Sequence, residues 1–257
     1  IREGRELDRL IAGIEFQRTT ESGLSMAIPC PGEIDEVAII RSLVGEFYYP
    51  VKFGRLEFQI NGKLVNKETI NGFADAIQDI HLRESSSVFT SSMREFTCRS
   101  MGITETDVTK AGATWSAKAT IDASCFEEGV AASLLKRFTE GKLISVRFPV
   151  TVSSARDGKT PSHFDVYLQS EPSLGRSEEA FIRKDLVIGL ERHISSASHL
   201  HKARAITHIK DDALSAFLAD AEEPTHLKWN SRRKRLNDRY KNCENLLRNV
   251  RNAAARL

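Results

Sequence analysis

An α+β fold, with mixed sheets flanked by helices, is what this sequence predicts, and three observations predict it. Apolar residues alternate with polar ones over KLISVRFPVTVS (142–153) and KARAITHI (202–209), the period of a half-buried strand. They recur at spacings of three and four over IDEVAIIRSLVGEF (34–47) and within 231–257, the period of one helical face. A β-β-α run between Phe181 and Trp229 cannot bury its apolar side alone, so the rest of the chain must supply the other layer.

Residues 1–16 read as a short helix around GRELDRLIAGI, followed by an extended segment, LSMAIPCP, that Pro29 and Pro31 end. The 34–47 helix comes next, then a hairpin in which GRLEFQI and KLVN flank Asn61-Gly62, the strongest short hairpin signal. From Thr69 to about Met101 the pattern is helical but weaker, with a Ser85-Ser86-Ser87 interruption, and it reads as an insertion. WSAKATI (115–121) alternates as a short strand. Asp122 or Ser124 caps a helix to about Glu140, with Gly141 at its C-terminus. Pro149 within the long strand 142–153 points to an edge or a bulge. An Asp157-Gly158 turn leads to the partner strand SHFDVYLQ. FIRKDLVIGL and KARAITHI then read as single strands, and Asp211 or Asp212 caps a helix that buries Leu214, Phe217 and Leu218. The last element reads as one long basic helix with a stripe of Leu236, Tyr240, Cys243, Leu247 and Val250. Four parts result: a strand-helix-hairpin part (1–68), a helical insertion (69–114), a second α+β part of the same domain (115–230) and the C-terminal helix (231–257).

Composition bounds the function classes. With 40% hydrophobic and 28% charged residues, the chain of 257 has the make-up of a globular protein with a sizeable core. No apolar run approaches the roughly 18 residues of a membrane span, so no membrane is expected. The start, IREGRELDRL, has neither a secretory apolar core nor an initiator Met, and reads as the beginning of a fragment of something longer. A net charge of +2, from 37 basic and 35 acidic residues, argues against wholesale nucleic-acid coating and leaves local patches open. Cys30, Cys98, Cys125 and Cys243 match no metal-ligand spacing and read as reduced, cytoplasmic thiols.

The segment SGLSMAIPCP, then a helix, then FYYPVKFGRLEFQING resembles the junction that follows the nucleotide-binding domain in bacterial proteins of the gyrase, histidine-kinase and MutL (GHKL) ATPase superfamily. FIRKDLVIGL and AEEPTHLKW resemble later segments of that family's second domain. The resemblance leaves out 69–114. It implies a transducer with a β-α-β core, like the second domain of a small-subunit ribosomal protein, coupling ATP binding and hydrolysis in an upstream domain to a partner or a C-terminal effector. The chain has no Asp-x-Gly-x-Gly turn, no Glu-x-x-x-Asn helix and no Gly-rich lid, so ATP and magnesium are expected upstream and no cofactor in this chain.

Such a domain needs one cation delivered to the γ-phosphate and an interface that moves with it. The candidates are Arg183 and Lys184 in FIRK, ahead of Lys159 in DGKT; the plain alternative for each is a solvated surface charge. DGKT is no phosphate loop, because it joins two strands and lacks the first glycine. His193, His199, His201 and His208 suggest a metal, but no Cys lies near and the spacing fits no ligand pair, so they read as a polar exposed loop and no metal is expected. His226 reads as a cap or a stacking partner of Trp229. Asp157 and Asp165 make no convincing acid pair, and a stand-alone hydrolase rests only on His163, Asp165 and the Ser-rich region. The rival class is a nucleic-acid-binding α+β module using Arg232, Arg233, Lys234, Arg235 and Arg239. The same helix is expected to lead to an effector or to pair in a homodimer.

Overall fold

A computed structural model describes residues 35–78, 91–117, 121–188, 193–194, 202–224 and 228–257. The expected helix over 1–16, the strand LSMAIPCP, the Ser85–Ser87 interruption, His199, His201 and His226 lie outside the described residues. The chain divides into two compact units, Ile1–Ile39 and Ile40–Leu257. Only 35–39 of the first are described, and apart from the opening residues of the first helix the fold below is that of the second.

Helix α1 (Glu36–Lys52) follows the 34–47 stripe and buries Ile40, Leu43, Val44, Tyr48 and Tyr49. Strands β1 (Phe58–Ile60) and β2 (Lys63–Val65) form the expected hairpin, with Asn61 and Gly62 at φ 47° and 79°, the left-handed pair that a type I′ turn demands. Helices α2 (Ile70–Gln78) and α3 (Ser91–Met101) come from the segment expected as an insertion, and they supply Ile70, Ala74, Ile77, Met93 and Phe96 to a core cluster shared with the main sheet.

That sheet has six strands in the order β3-β4-β5-β8-β6-β7. They are β3 (Thr109–Lys110), β4 (Ile144–Ser154), β5 (Gly158–Ser170), β6 (Glu178–Arg183), β7 (Leu186–Ile188) and β8 (Ala203–Ile209). The β3–β4 and β6–β8 pairs are parallel and the others antiparallel. Every residue of β8 is buried, because strands flank both its edges and helices cover both its faces. On one face Val146, Phe148, Phe164, Val166, Phe181 and Ala205 join a cluster with α4 (Val130–Thr139), α5 (Asp212–Ala221) and α7 (Cys243–Arg256). On the other, Tyr167, Ala180, Ile182 and Ile206 meet α1, α2 and α3. Each fully buried large apolar side chain contributes about 1.5–3 kcal/mol.

Four expectations need correction. The described start of WSAKATI is not a strand: residues 113–117 turn as a 3-10 helix, which seats the buried Trp115 against Phe148 (ring centroids 4.7 Å apart) and lets its Nε1 donate to Pro149 O at 2.7 Å. The helix from Asp122 is interrupted: Asp122 accepts from Ser124 N to cap only a short 3-10 turn, and Gly129, at φ 78°, starts α4 afresh. FIRKDLVI, the described part of FIRKDLVIGL, is two strands joined by a tight turn at Lys184-Asp185. The long C-terminal basic helix is instead α6 (Lys234–Arg239) and α7, broken where Tyr240 bridges Ser154 and Asn242 adopts φ 57°. Ala155 N donates to Arg239 O, and Lys241 N donates to Ser153 O, so strand-type bonding to the end of β4 replaces a turn of helix. The stripe of Leu236, Tyr240, Cys243, Leu247 and Val250 is nonetheless buried on both sides of the break.

The β4–β5 arm leaves a proline facing out on each long edge. Arg147 O and Ser153 O accept bonds from outside the arm, so the odd-numbered residues of β4, Pro149 among them, turn their backbone groups outward. Pro161 pairs with Thr151 and so faces the opposite edge, which β8 covers only from Asp165 onward.

Candidate functional site

The turn between β6 and β7 gathers the strongest site expectations. Arg183 pairs with Leu186, leaving Lys184 and Asp185 as a two-residue loop; Lys184 sits at φ 54°, and its N–H is fixed to Ile209 O at 2.9 Å. Three consecutive side chains then grip three different places. Arg183 turns inward, its Nε donating to Glu222 Oε1 and its second terminal nitrogen to Glu222 Oε2 at 2.9 Å. The Glu222 side chain is 1% exposed, so this is a buried, two-pronged ion pair. Lys184 Nζ reaches Asp212 Oδ1 in the first turn of α5, where Asp211, not Asp212, caps the helix by accepting from Ala213 N and Leu214 N. Asp185 meets Arg55, beyond the end of α1, at 3.7 Å.

This arrangement separates the expected cations. Arg183 is bound inside the fold. Lys184 is 44% exposed, and its partner carboxylate is 94% exposed, so its ammonium can exchange partners at little cost. Lys159 is exposed at the start of β5, opposite Ser153. It lies five positions, about 17 Å of strand, beyond Phe164, which is level with Ile209 and Arg183.

The basic run is also divided. Arg235 and Arg239 converge on the buried Asp220, at 2.7 and 2.5 Å, whereas Arg232 and Lys234 are exposed and Arg233 is half-buried at the start of α6. His208 is not in an exposed loop: it is buried in β8. Among the described residues no group of three His, Cys, Asp or Glu is placed to hold a metal.

A polar row unmarked by any sequence motif crosses the second face. Arg147 donates from Nε and a terminal nitrogen to both oxygens of Asp165, at 2.7 and 2.8 Å, and also to Glu105 at 2.6 and 3.0 Å. The Arg147 guanidinium holds the Glu105 carboxyl below its usual range. Asp165 stands opposite His208 on β8, and His208 Nε2 lies 3.3 Å from Tyr49 Oη. Burial, aided by Lys210, lowers His208 to about 4, and burial pushes Tyr49 up to about 12 with Asp185 adding. With both oxygens of Asp165 on Arg147, the acid of the hydrolase reading is already bound.

No family model, curated protein or solved structure matches the chain.

A cavity of about 540 Å³ between α4, the sheet and the end of α7 is apolar, lined by Leu134, Phe138, Ile144, Leu168 and Ala254 among others. Its acidic lining residue, Asp122, already accepts from Ser124, so the described lining shows no convergent polar groups of the kind that orient a substrate.

Proposed function

We propose that this chain is the non-catalytic coupling region of a bacterial, cytoplasmic GHKL-type ATPase. It relays the state of a nucleotide held by an upstream domain to a partner or a C-terminal effector. The observation that carries this reading is the Arg183–Asp185 turn, which presents one exchangeable cation, Lys184, between neighbours tied into both helical layers. Among the described residues a γ-phosphate offered to Lys184 competes with the exposed carboxylate of Asp212, and any movement that follows is felt by α5 through Arg183. The reading assigns ATP and magnesium to the upstream domain, where the family's Asp-x-Gly-x-Gly turn, Glu-x-x-x-Asn helix and Gly-rich lid would lie. The nucleic-acid alternative has less support, because Arg235 and Arg239 are bound to Asp220.

The test is ATP turnover by the longer protein that includes the nucleotide-binding domain. Lys184→Ala lowers it about a hundredfold, the usual effect of removing one group aimed at developing charge, while Lys159→Ala leaves it within about twofold. Unchanged turnover in Lys184→Ala, or micromolar binding of a nonhydrolysable ATP analogue by residues 1–257 alone, overturns the reading.

A further inference from the structure

A contiguous set of buried contacts leads from the Lys184 turn to the last helix. Arg183, next to Lys184, holds Glu222 at the C-cap of α5. Glu222 is bridged to Trp229 in strand fashion, with Asn230 N donating to Ala221 O at 2.7 Å and Glu223 N to Lys228 O at 3.1 Å. Trp229 Nε1 lies 3.4 Å from Glu222 Oε1, and its ring meets the edge of Phe181 at 5.3 Å, so β6 grips this bridge at two residues of one face. The carbonyl of Trp229 accepts the guanidinium of Arg251, which lies on α7. Glu222 and Trp229 are each 2% exposed, and the Arg183 side chain 12%, so water has little access to replace a broken link.

We propose that Glu222 and Trp229 form the connector that carries a displacement of the Lys184 turn to α7, making α7 the output helix. The inference rests on the coupling reading for the direction of the signal, not for the mechanical link. If the turn shifts, Arg183 either takes Glu222 with it or leaves a buried carboxylate without its cation, and the second course is heavily penalised. The route on the other side of the turn is slack: Arg55 and Asp185 are 67% and 51% exposed and 3.7 Å apart, and solvent readily substitutes for either partner. A displacement therefore travels through the layer of α5 and α7 rather than toward α1.

The experiment is amide hydrogen exchange on the full chain without nucleotide, reading α7 and, as an internal control, α4, which lies off the path. Lys184→Asp places like charges beside Asp185 and Asp212 and pushes the turn away. It is expected to speed exchange in α7 at least about threefold while α4 stays unchanged. In a Trp229→Phe background, which keeps a ring on Phe181 but removes the indole N–H, the increment falls below half. Arg251→Lys gives the same attenuation and serves should Trp229→Phe fold poorly. An α7 indifferent to Lys184→Asp, an equal increment in all backgrounds, or an equal rise in α4 overturns the connector. If exchange responds as expected but ATP turnover ignores Lys184, the coupling reading fails and the link stands. If turnover falls while α7 stays silent, only the connector fails.

Discussion

The first face of the six-stranded sheet meets its helices through Phe148, Phe164, Phe181 and Phe217, with the Arg183–Glu222 pair at its end. The second carries Arg147, Asp165 and His208 in a row across three adjacent strands before Tyr167 and Ile206 restore apolar contact. Apolar packing tolerates many equivalent solutions, whereas a buried polar row is stable only in one register, since a slip would leave charges unpaired. The first face thus supplies most of the cohesion, and the second fixes the alignment of β4, β5 and β8.

Variants on the two faces break or sharpen that contrast. The largest effect is expected from Phe217→Ala on the first face, where a side chain with no exposure packs edge-on to Tyr240 at 5.2 Å. Urea unfolding should show a loss of about 3–5 kcal/mol. Next comes a pH effect confined to the second face. His208 is held neutral in the folded chain, lowered from 6.5 to about 4, so its contribution is complete above pH 6.5 and is lost as pH falls toward 4 while the unfolded chain takes up the proton. Stability should fall by about 3 kcal/mol over that interval from this residue alone. Unfolding midpoints of wild type and His208→Gln, compared at pH 7.5 and 4, isolate it; parallel pH profiles would refute the assignment. Asp165→Asn should cost less, about 1–3 kcal/mol, because Arg147 retains Glu105. Asp212→Asn should change stability by no more than about 0.5 kcal/mol, since the carboxylate it alters is almost fully solvated.

The parts of the fold legible in the sequence are those written in local chemistry. Asn61-Gly62 announces its turn, Asp211 its helix cap, and Gly141, at φ 69°, the end of α4. The turn at Lys184-Asp185 was not legible because its left-handed first residue is a lysine, not one that turns favour, and it is held by Ile209 O, a partner distant in sequence. The break in the C-terminal helix was hidden because its apolar stripe continues across Tyr240 without a glycine or proline. Arg147 and Asp165 could not be paired in advance for a subtler reason. Had Asp157 and Gly158 been the two loop residues, Arg147 would face Leu168; a three-residue turn over 155–157 shifts the register by three and brings Asp165 opposite. Of the candidate site, Lys184 and Arg183 were legible as cations in one short motif. Which of them faces solvent follows from Glu222, 39 positions downstream.

The outward prolines of the β4–β5 arm bear on how this protein behaves at high concentration. A projecting two-stranded ribbon invites a neighbouring molecule to zip onto it and start a fibre, and a residue without an N–H interrupts that growth at the rung where it stands. Pro161 places one such interruption on the rim that β8 leaves bare before Asp165, while the other rim is already occupied at Arg147, Pro149 and Ser153 by bonds from Ala111, Trp115 and Lys241, so neither rim offers a neighbour an uninterrupted edge.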